Sequence, residues 1–303
     1  SQSDGTLGKP YKKIVDALNE QKKPASPAKI IAIAGATGPG TVYAENLAIT
    51  KSVELRCRCA ADPGRVTIAG SITMAVGVAD VTVVVDGCRV APAGFPVAPA
   101  TWGSCGAGNG PVGLAVTGIL GSGARLLRDS EVAGWCTGLY FNHVPSGLAL
   151  ATLCVSRTRF VANDRGVDIV TSPPALLSPV FAECQGIQQP IAAEYSQIDR
   201  NKNEGFLTRQ GAPNLVLRGN TVRGNGTLAG KTGGTGHGIQ LGNVVSAEIN
   251  GNLISGNESQ GLSMINLAAV KSMAVVVRAN TVADNRGAGI QLQDLKAGAA
   301  VKI

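Results

Sequence analysis

One six-residue pattern recurs through the second half of the chain and restricts its fold more than any other feature. Asn220-Thr221-Val222-Arg223-Gly224-Asn225, Asn252-Leu253-Ile254-Ser255-Gly256-Asn257 and Asn280-Thr281-Val282-Ala283-Asp284-Asn285 each read Asn, any residue, Val or Ile, two residues, Asn. Each follows an alternating or apolar run: Leu215-Val216-Leu217, Ala247-Glu248-Ile249 and Val275-Val276-Val277. Each precedes a Gly and a second alternating run: Gly238-Ile239-Gln240-Leu241, Gly261-Leu262-Ser263-Met264 and Gly289-Ile290-Gln291-Leu292. Degenerate copies begin at Ser196, Thr158 and Ser130, so six copies follow one another at spacings of 24 to 38 residues. Self-similarity at such a period marks a solenoid.

Each repeat holds two or three short strands with period-two alternation and cannot bury its inward face alone. Parallel stacking solves this by aligning Val132, Phe160, Ile198, Val222, Ile254 and Val282 in one column. The Asn closing each pattern suits a left-handed backbone position, and stacked asparagines hydrogen-bond from coil to coil. Asn225, Asn257 and Asn285 therefore read as a structural ladder. No repeat carries a helical period, which argues against a β/α solenoid. The expected fold is all-β: a right-handed parallel β-helix of about 10–11 coils at ~25 residues each, some 50 Å long at ~4.8 Å per coil. Composition agrees. Gly is frequent at 40 residues, aromatics make up only 4% and 44% of residues are hydrophobic, so the core is stacked from small side chains.

The seven cysteines form no CxxC pair, which weakens zinc and thioredoxin-like readings. Cys59 to Cys88 spans 29 residues, Cys105 to Cys136 spans 31 and Cys154 to Cys184 spans 30, each close to one coil. Neighbouring coils lie within disulfide reach. Bridges between adjacent coils are expected at those three pairs, with Cys57 left over or exchanging with Cys59; the alternative is buried core thiols. Disulfides would place the protein outside the cytoplasm, secreted or at the cell surface.

Residues 1–28 are expected to form a capping segment and 29–303 a single β-helical domain. Within the cap, Tyr11, Ile14, Val15 and Leu18 share one face of a helix over Pro10–Gln21, which would plug the end of the coil. Residues 60–123 still read as strands, interrupted by a Pro-, Gly- and Ala-rich excursion over 91–110. The final Ala300-Val301-Lys302-Ile303 looks like the start of another strand, so a continuing chain or a partner at that end is expected, including a homo-oligomer or filament joined through coil ends. No run reaches the ~18 apolar residues of a membrane span.

Asp4-Gly5-Thr6, Gly8 to Leu18, Ile30 to Gly35 and the Tyr43-Ala44-Glu45-Asn46-Leu47 turn resemble the entry segment of secreted bacterial pectin-lyase-like β-helix proteins, and the Asn-and-Gly repeat is similar to the repeat of that superfamily. The resemblance implies fold more than function. The superfamily includes pectate lyases, polygalacturonases, alginate-acting enzymes, tailspikes, adhesins and surface proteins of no known activity.

Polygalacturonase-type hydrolysis needs paired carboxylates. The chain has Gly236-His237-Gly238 but no Asp-Asp pair and no Arg-Ile-Lys, and His237 falls where Gln260 and Ala288 stand in neighbouring repeats, a turn position. Lyase chemistry would need a base and a cation or Arg to neutralise the substrate acid. Lys231, His237 and Arg209 are the candidates, on the premise that the long loop over 226–236 gathers them. Trp102, Trp135 and Tyr140 are candidate carbohydrate platforms. No calcium cluster, P-loop or Gly-x-Ser-x-Gly segment is present, so no cofactor or metal is expected. The net charge of +7 suits an acidic polysaccharide; the scattered basic residues do not suit nucleic acid. The favoured reading is an extracellular β-helix with a structural or adhesive role. The alternative is a lyase or hydrolase acting on an acidic glycan, and an outward groove gathering Lys, Arg and acids from successive coils would favour it.

Overall fold

A computed structural model describes residues 11–20, 29–33, 41–57, 66–75, 81–95, 105, 110–119, 123–144, 151–171, 182–184, 191–209, 214–227, 236–267 and 275–303. Their strands join into three parallel sheets of ten, nine and nine strands, and each strand pairs with the strand three places on in sequence. One turn of the coil runs Gly123–Arg128 in the first sheet, Glu131–Ala133 in the second and Thr137–Val144 in the third, then returns to the first sheet at Ala151–Ser156. The described residues make nine complete coils and the opening strand of a tenth, Val301–Lys302. The count falls below eleven because connections between sheets lengthen several coils beyond ~25 residues.

Alternation aims one residue in two at the axis. In the second sheet Val132, Phe160, Ile198, Val222, Ile254 and Val282 stand in register, and all but Val282 are fully buried. The first sheet stacks Val85, Leu127, Val155, Ala193, Leu217, Ile249 and Val277 in the same way. Arg125 breaks this pattern. It pairs with Val83 and Leu153, both core residues, so its side chain also points inward. There its Nη1 donates to the Val81 carbonyl at 2.8 Å, while Nε and Nη2 have no hydrogen-bond partner among the described residues. Burial lowers its pKa to about 10.

Two corners carry ladders. In seven successive coils the first sheet turns into the second on two residues. The first of the two is left-handed every time: Gly87, Asp129, Arg157, Tyr195, Gly219, Gly251 and Ala279. The second is Cys88, Ser130, Thr158, Ser196, Asn220, Asn252 or Asn280. The main-chain N–H groups of Ser196, Asn220 and Asn252 each donate at 2.9 Å to the side-chain oxygen of the next Asn. Those of Cys88 and Thr158 donate to Ser130 Oγ and Ser196 Oγ at 3.1 and 3.2 Å.

The second corner holds Asn163, Asn201, Asn225, Asn257 and Asn285. Each of the first four gives its main-chain N–H to the next Asn Oδ1 at 3.1 Å, and its Nδ2 to the same oxygen at 2.8–3.2 Å. Here the expectation of left-handed asparagines is corrected. The left-handed residue is the one before each Asn (Ala162, Arg200, Gly224, Gly256, Asp284), which frees the Asn to point inward and bond along the stack.

Disulfides join Cys57 to Cys88, Cys105 to Cys136 and Cys154 to Cys184. The expected Cys59–Cys88 bridge is therefore corrected, and Cys59 itself lies outside the described residues. Val53 pairs with Val83, so Cys57 stands opposite Gly87, one step from Cys88. Cys57 continues the inward alternation of Val53 and Leu55 and meets Cys88 in the core.

The helix covers Ile14–Asn19, shorter than expected, and buries Ile14, Ala17 and Leu18 against the first coil. The carboxylate of Glu45 accepts the main-chain N–H groups of Ile14 and Val15, both at 2.9 Å. It thereby satisfies two donors that the first helical turn leaves open.

Candidate functional site

The outward face of the third sheet carries a charged network built from two successive coils. Asp168 lies on Arg165–Thr171 between inward-facing Val167 and Ile169, paired with Tyr140 on one side and Leu207 on the other. Its carboxylate is fully buried. Arg209, just beyond Phe206–Thr208, holds it two-pronged: Nε donates to Oδ1 at 3.0 Å and Nη2 to Oδ2. Arg165 stands 3.9 Å from the same Oδ2 and pairs through Nε with Glu204 at 3.2 Å. Burial raises the Asp168 carboxyl above its ordinary range, although Arg209 and then Arg165 pull it back.

This network runs across the sheet as Glu204, Arg165, Asp168, Arg209. Beside it lies an open groove of about 380 Å³ lined by Arg165, Glu204, Arg209, Gln240, Asn243 and Asn266, among others. Asn243 and Asn266 are left-handed corner residues, and Asn243 Nδ2 donates to the Arg209 carbonyl at 2.8 Å. Two arginines face two carboxylates, so the groove is charge-balanced and presents amide, guanidinium and carboxylate edges side by side. Such a surface can donate to and accept from vicinal hydroxyls without an unpaired charge.

Arg209 closes one end of this network, and His237 stacks one coil beyond Glu204 at the other end. The main-chain N–H groups of Gly166, Gly205, Gly238 and Gly261 donate to the carbonyls of Glu204, His237, Gln260 and Ala288, so His237 occupies the turn column where Gln260 and Ala288 stand. That column opens the third-sheet strands, whereas Arg209 follows the end of one. The gathering of Arg209 and His237 is therefore corrected: the pairing of Phe206 with Ile239 sets them about five extended residues apart, roughly 16 Å. Lys231 lies outside the described residues.

Of the aromatic candidates, Tyr140 faces outward next to Asp168, half-buried, while Leu139 and Phe141 face the core. Trp135 is corrected as a platform, being only 7% exposed. It takes the ladder position that Asn163 fills one coil later. Its indole N–H donates to the Val90 carbonyl at 3.2 Å as Asn163 Nδ2 does to Val132 at 3.1 Å, and its main-chain N–H donates to Asn163 Oδ1 at 3.0 Å. Trp135 thus terminates the asparagine stack. Trp102 lies outside the described residues. Sequence reasoning missed Asp168; the available signal was an acid at an outward strand position directly beside Tyr140.

Among the described residues, no three His, Cys, Asp or Glu side chains gather to hold a metal ion, and no helix is long and apolar enough to cross a membrane. The family model described as a right handed beta helix region matches residues 188–303. The crystal structure of pectate lyase Pel9A aligns with a TM-score of 0.51 over 100% of this chain and 74% of that one, at 14% identity. Comparison with curated proteins finds no match. At that identity the likeness is one of fold, and together with the three parallel sheets it makes this chain a right-handed parallel β-helix.

Proposed function

We propose that this chain is an extracellular β-helix that holds a polysaccharide along the third sheet, in an adhesive or structural role. The observation that carries the reading is the balanced Glu204–Arg165–Asp168–Arg209 network beside Tyr140 and the groove amides. Its polar edges suit hydroxyl-rich sugar, and Tyr140 offers a flat partly apolar face beside them. Both carboxylates are engaged by arginine, which favours holding a sugar over attacking it. Three disulfides support a location outside the cytoplasm.

The second reading, a polysaccharide lyase or hydrolase, draws on one specific observation. The groove gathers arginines and acids from successive coils, and Asp168 is held toward its protonated form by burial. One experiment separates the two. The full chain is incubated with insoluble and soluble polysaccharides, and both retention and polymer length are measured for wild type, Tyr140→Ala and Arg209→Ala. Retention without shortening, weakened at least fivefold in either variant, supports adhesion. Shortening of the polymer overturns it in favour of the enzyme, and no retention on any polysaccharide overturns both.

A further inference from the structure

The three outward faces differ in charge. Among the ion pairs of the first sheet, Arg56, Arg128, Arg218 and Arg278 meet Glu54, Asp86, Glu183, Glu194 and Glu248. The third sheet is balanced. On the second sheet, Arg89, Arg159, Arg200 and Arg223 share only Glu131 and Asp199. Register brings these residues together: Glu131 pairs with Arg89 on one side and Arg159 on the other, and Asp199 pairs with Arg223. Among these ion pairs the second sheet is therefore the cationic face, with two guanidinium charges in excess around Glu131 and Asp199; Asp284, in the same corner column as Arg200, lies three coils further on.

The surplus concentrates around Asp199. Its Oδ2 accepts from Gln197 Nε2 at 3.2 Å and Arg159 Nη2 at 3.4 Å, while Arg200 Nε and Arg223 Nη2 stand at 3.7 and 3.9 Å, beyond hydrogen-bonding distance. One buried carboxylate thus orients three arginines and satisfies none of them bidentately. The Arg159 Nε, itself buried, has no hydrogen-bond partner among the described residues. The Arg200 and Arg223 side chains are 60% and 55% exposed. They flank a depression of about 410 Å³ that Gly224, Ser255 and Gly256 complete. A Cβ on Gly256 would meet nothing within 4 Å, so the depression is open there. At the near corner of the same coil Tyr195 is 61% exposed, and its ring lies against Gly219, where a Cβ would come within 2.7 Å of it.

We propose that the second sheet is a separate binding surface for the sulfate or carboxylate groups of a polysaccharide, with Arg200 and Arg223 clasping one oxyanion over the depression. Arg223 stands opposite Asp199 in register, one residue from Arg200 on the adjacent coil, so two guanidinium forks can share the oxygens of a single tetrahedral or planar oxyanion. Asp199 keeps the forks in place without neutralising them, and Tyr195 offers a ring for sugar on the same side. The surface does not depend on the third-sheet groove, and variants tell the two apart.

The test measures binding of the full chain to dextran sulfate, polygalacturonate and neutral dextran over a series of salt concentrations. Arg200→Ser/Arg223→Ser is expected to weaken binding to the better acidic polymer at least tenfold and to flatten its salt dependence. Both positions are exposed, so folding should be kept, which circular dichroism checks. Arg200→Lys/Arg223→Lys keeps the charge but loses the forks, and should fall between the double serine variant and wild type. Arg278→Ser, at a 61% exposed arginine of the first sheet outside both surfaces, should leave this binding within twofold. The proposal is overturned if the double serine variant binds as wild type does, if neutral dextran binds equally well, or if duplex DNA binds more tightly and is lost in the same variant.

Discussion

Replacing Asn225 with alanine should destabilise the centre of the rod far more than its size suggests. Asn225 is fully buried and takes part in every bond the ladder makes at its level. Its Oδ1 accepts the main-chain N–H of Asn201 at 3.1 Å and Asn201 Nδ2 at 2.9 Å; its Nδ2 donates to the Ile198 carbonyl at 3.2 Å and to Asn257 Oδ1 at 2.9 Å. Asn257 Oδ1 keeps one donor, the main-chain N–H of residue 225, and Asn201 Nδ2 keeps the Phe160 carbonyl at 3.4 Å. The Asn201 N–H keeps nothing. An orphaned buried donor costs about 1–3 kcal/mol and each of the three other lost bonds about 1 kcal/mol, so a total of about 4–6 kcal/mol is expected. Asn285→Ala removes the same types of bond where the side chain is only half-buried and water can replace it, so it should cost about 1–2 kcal/mol. Urea titration followed by circular dichroism gives the two values at constant m. Native-state hydrogen exchange should show the loss of protection centred on residues 198–257, because a solenoid's stability is summed over neighbouring coils. Equal costs for the two variants, or less than 1 kcal/mol for Asn225→Ala, would refute the ladder as the source of this stability.

Three further outcomes follow from the same structure. Trp135→Phe keeps the packing but loses the indole bond to Val90, and should cost about 1 kcal/mol in urea titration; no change would mean that bond contributes nothing. Arg125→Met removes a buried guanidinium that makes a single hydrogen bond, and should be neutral or stabilising by about 1–3 kcal/mol in thermal unfolding; a loss of several kcal/mol would show that the arginine is needed inside the core. Burial also raises the Asp164 carboxyl, against the hydrogen bond from Asn203. A raised folded-state value means the folded chain holds this proton more tightly, so the stability is present at low pH and lost as pH rises through that value. The advantage of Asp164→Asn over wild type should therefore grow from pH ~4 toward neutrality, and a difference that is flat with pH would contradict it.

The stacking of coils was legible because each repeat is written in local terms: an inward Val or Ile, a corner Asn, a Gly. The first-corner ladder was harder to see. Asn220, Asn252 and Asn280 continue upstream as Ser196, Thr158, Ser130 and Cys88, three residue types that share only a polar or sulfur atom at one place in a turn. Trp135 was misread for a related reason, since an indole N–H does the work of an asparagine amide in a position that looks like a broken repeat. The charged faces were legible least. Asp168 meets Arg209, and Asp199 meets Arg223, only after the register of coils of unequal length is known, and no fixed spacing in the chain marks those encounters. Cys57 and Cys59 share a face by alternation, so the partner of Cys88 turned on the register of two coils, which spacing alone could not decide.

The two-residue corner between the first and second sheets has a consequence for how such a rod can change. Seven coils pass through it with the same length and the same left-handed first residue. An extra residue there would reverse which side chains of the following strand face the axis, exposing the apolar ones and burying Arg159, Gln197 or Thr221 in their place. That corner therefore works as a phase lock. Over these seven coils length variation falls at the other two corners, so new binding surfaces can grow out from the edges of the third sheet while the seam between the first two sheets keeps its length.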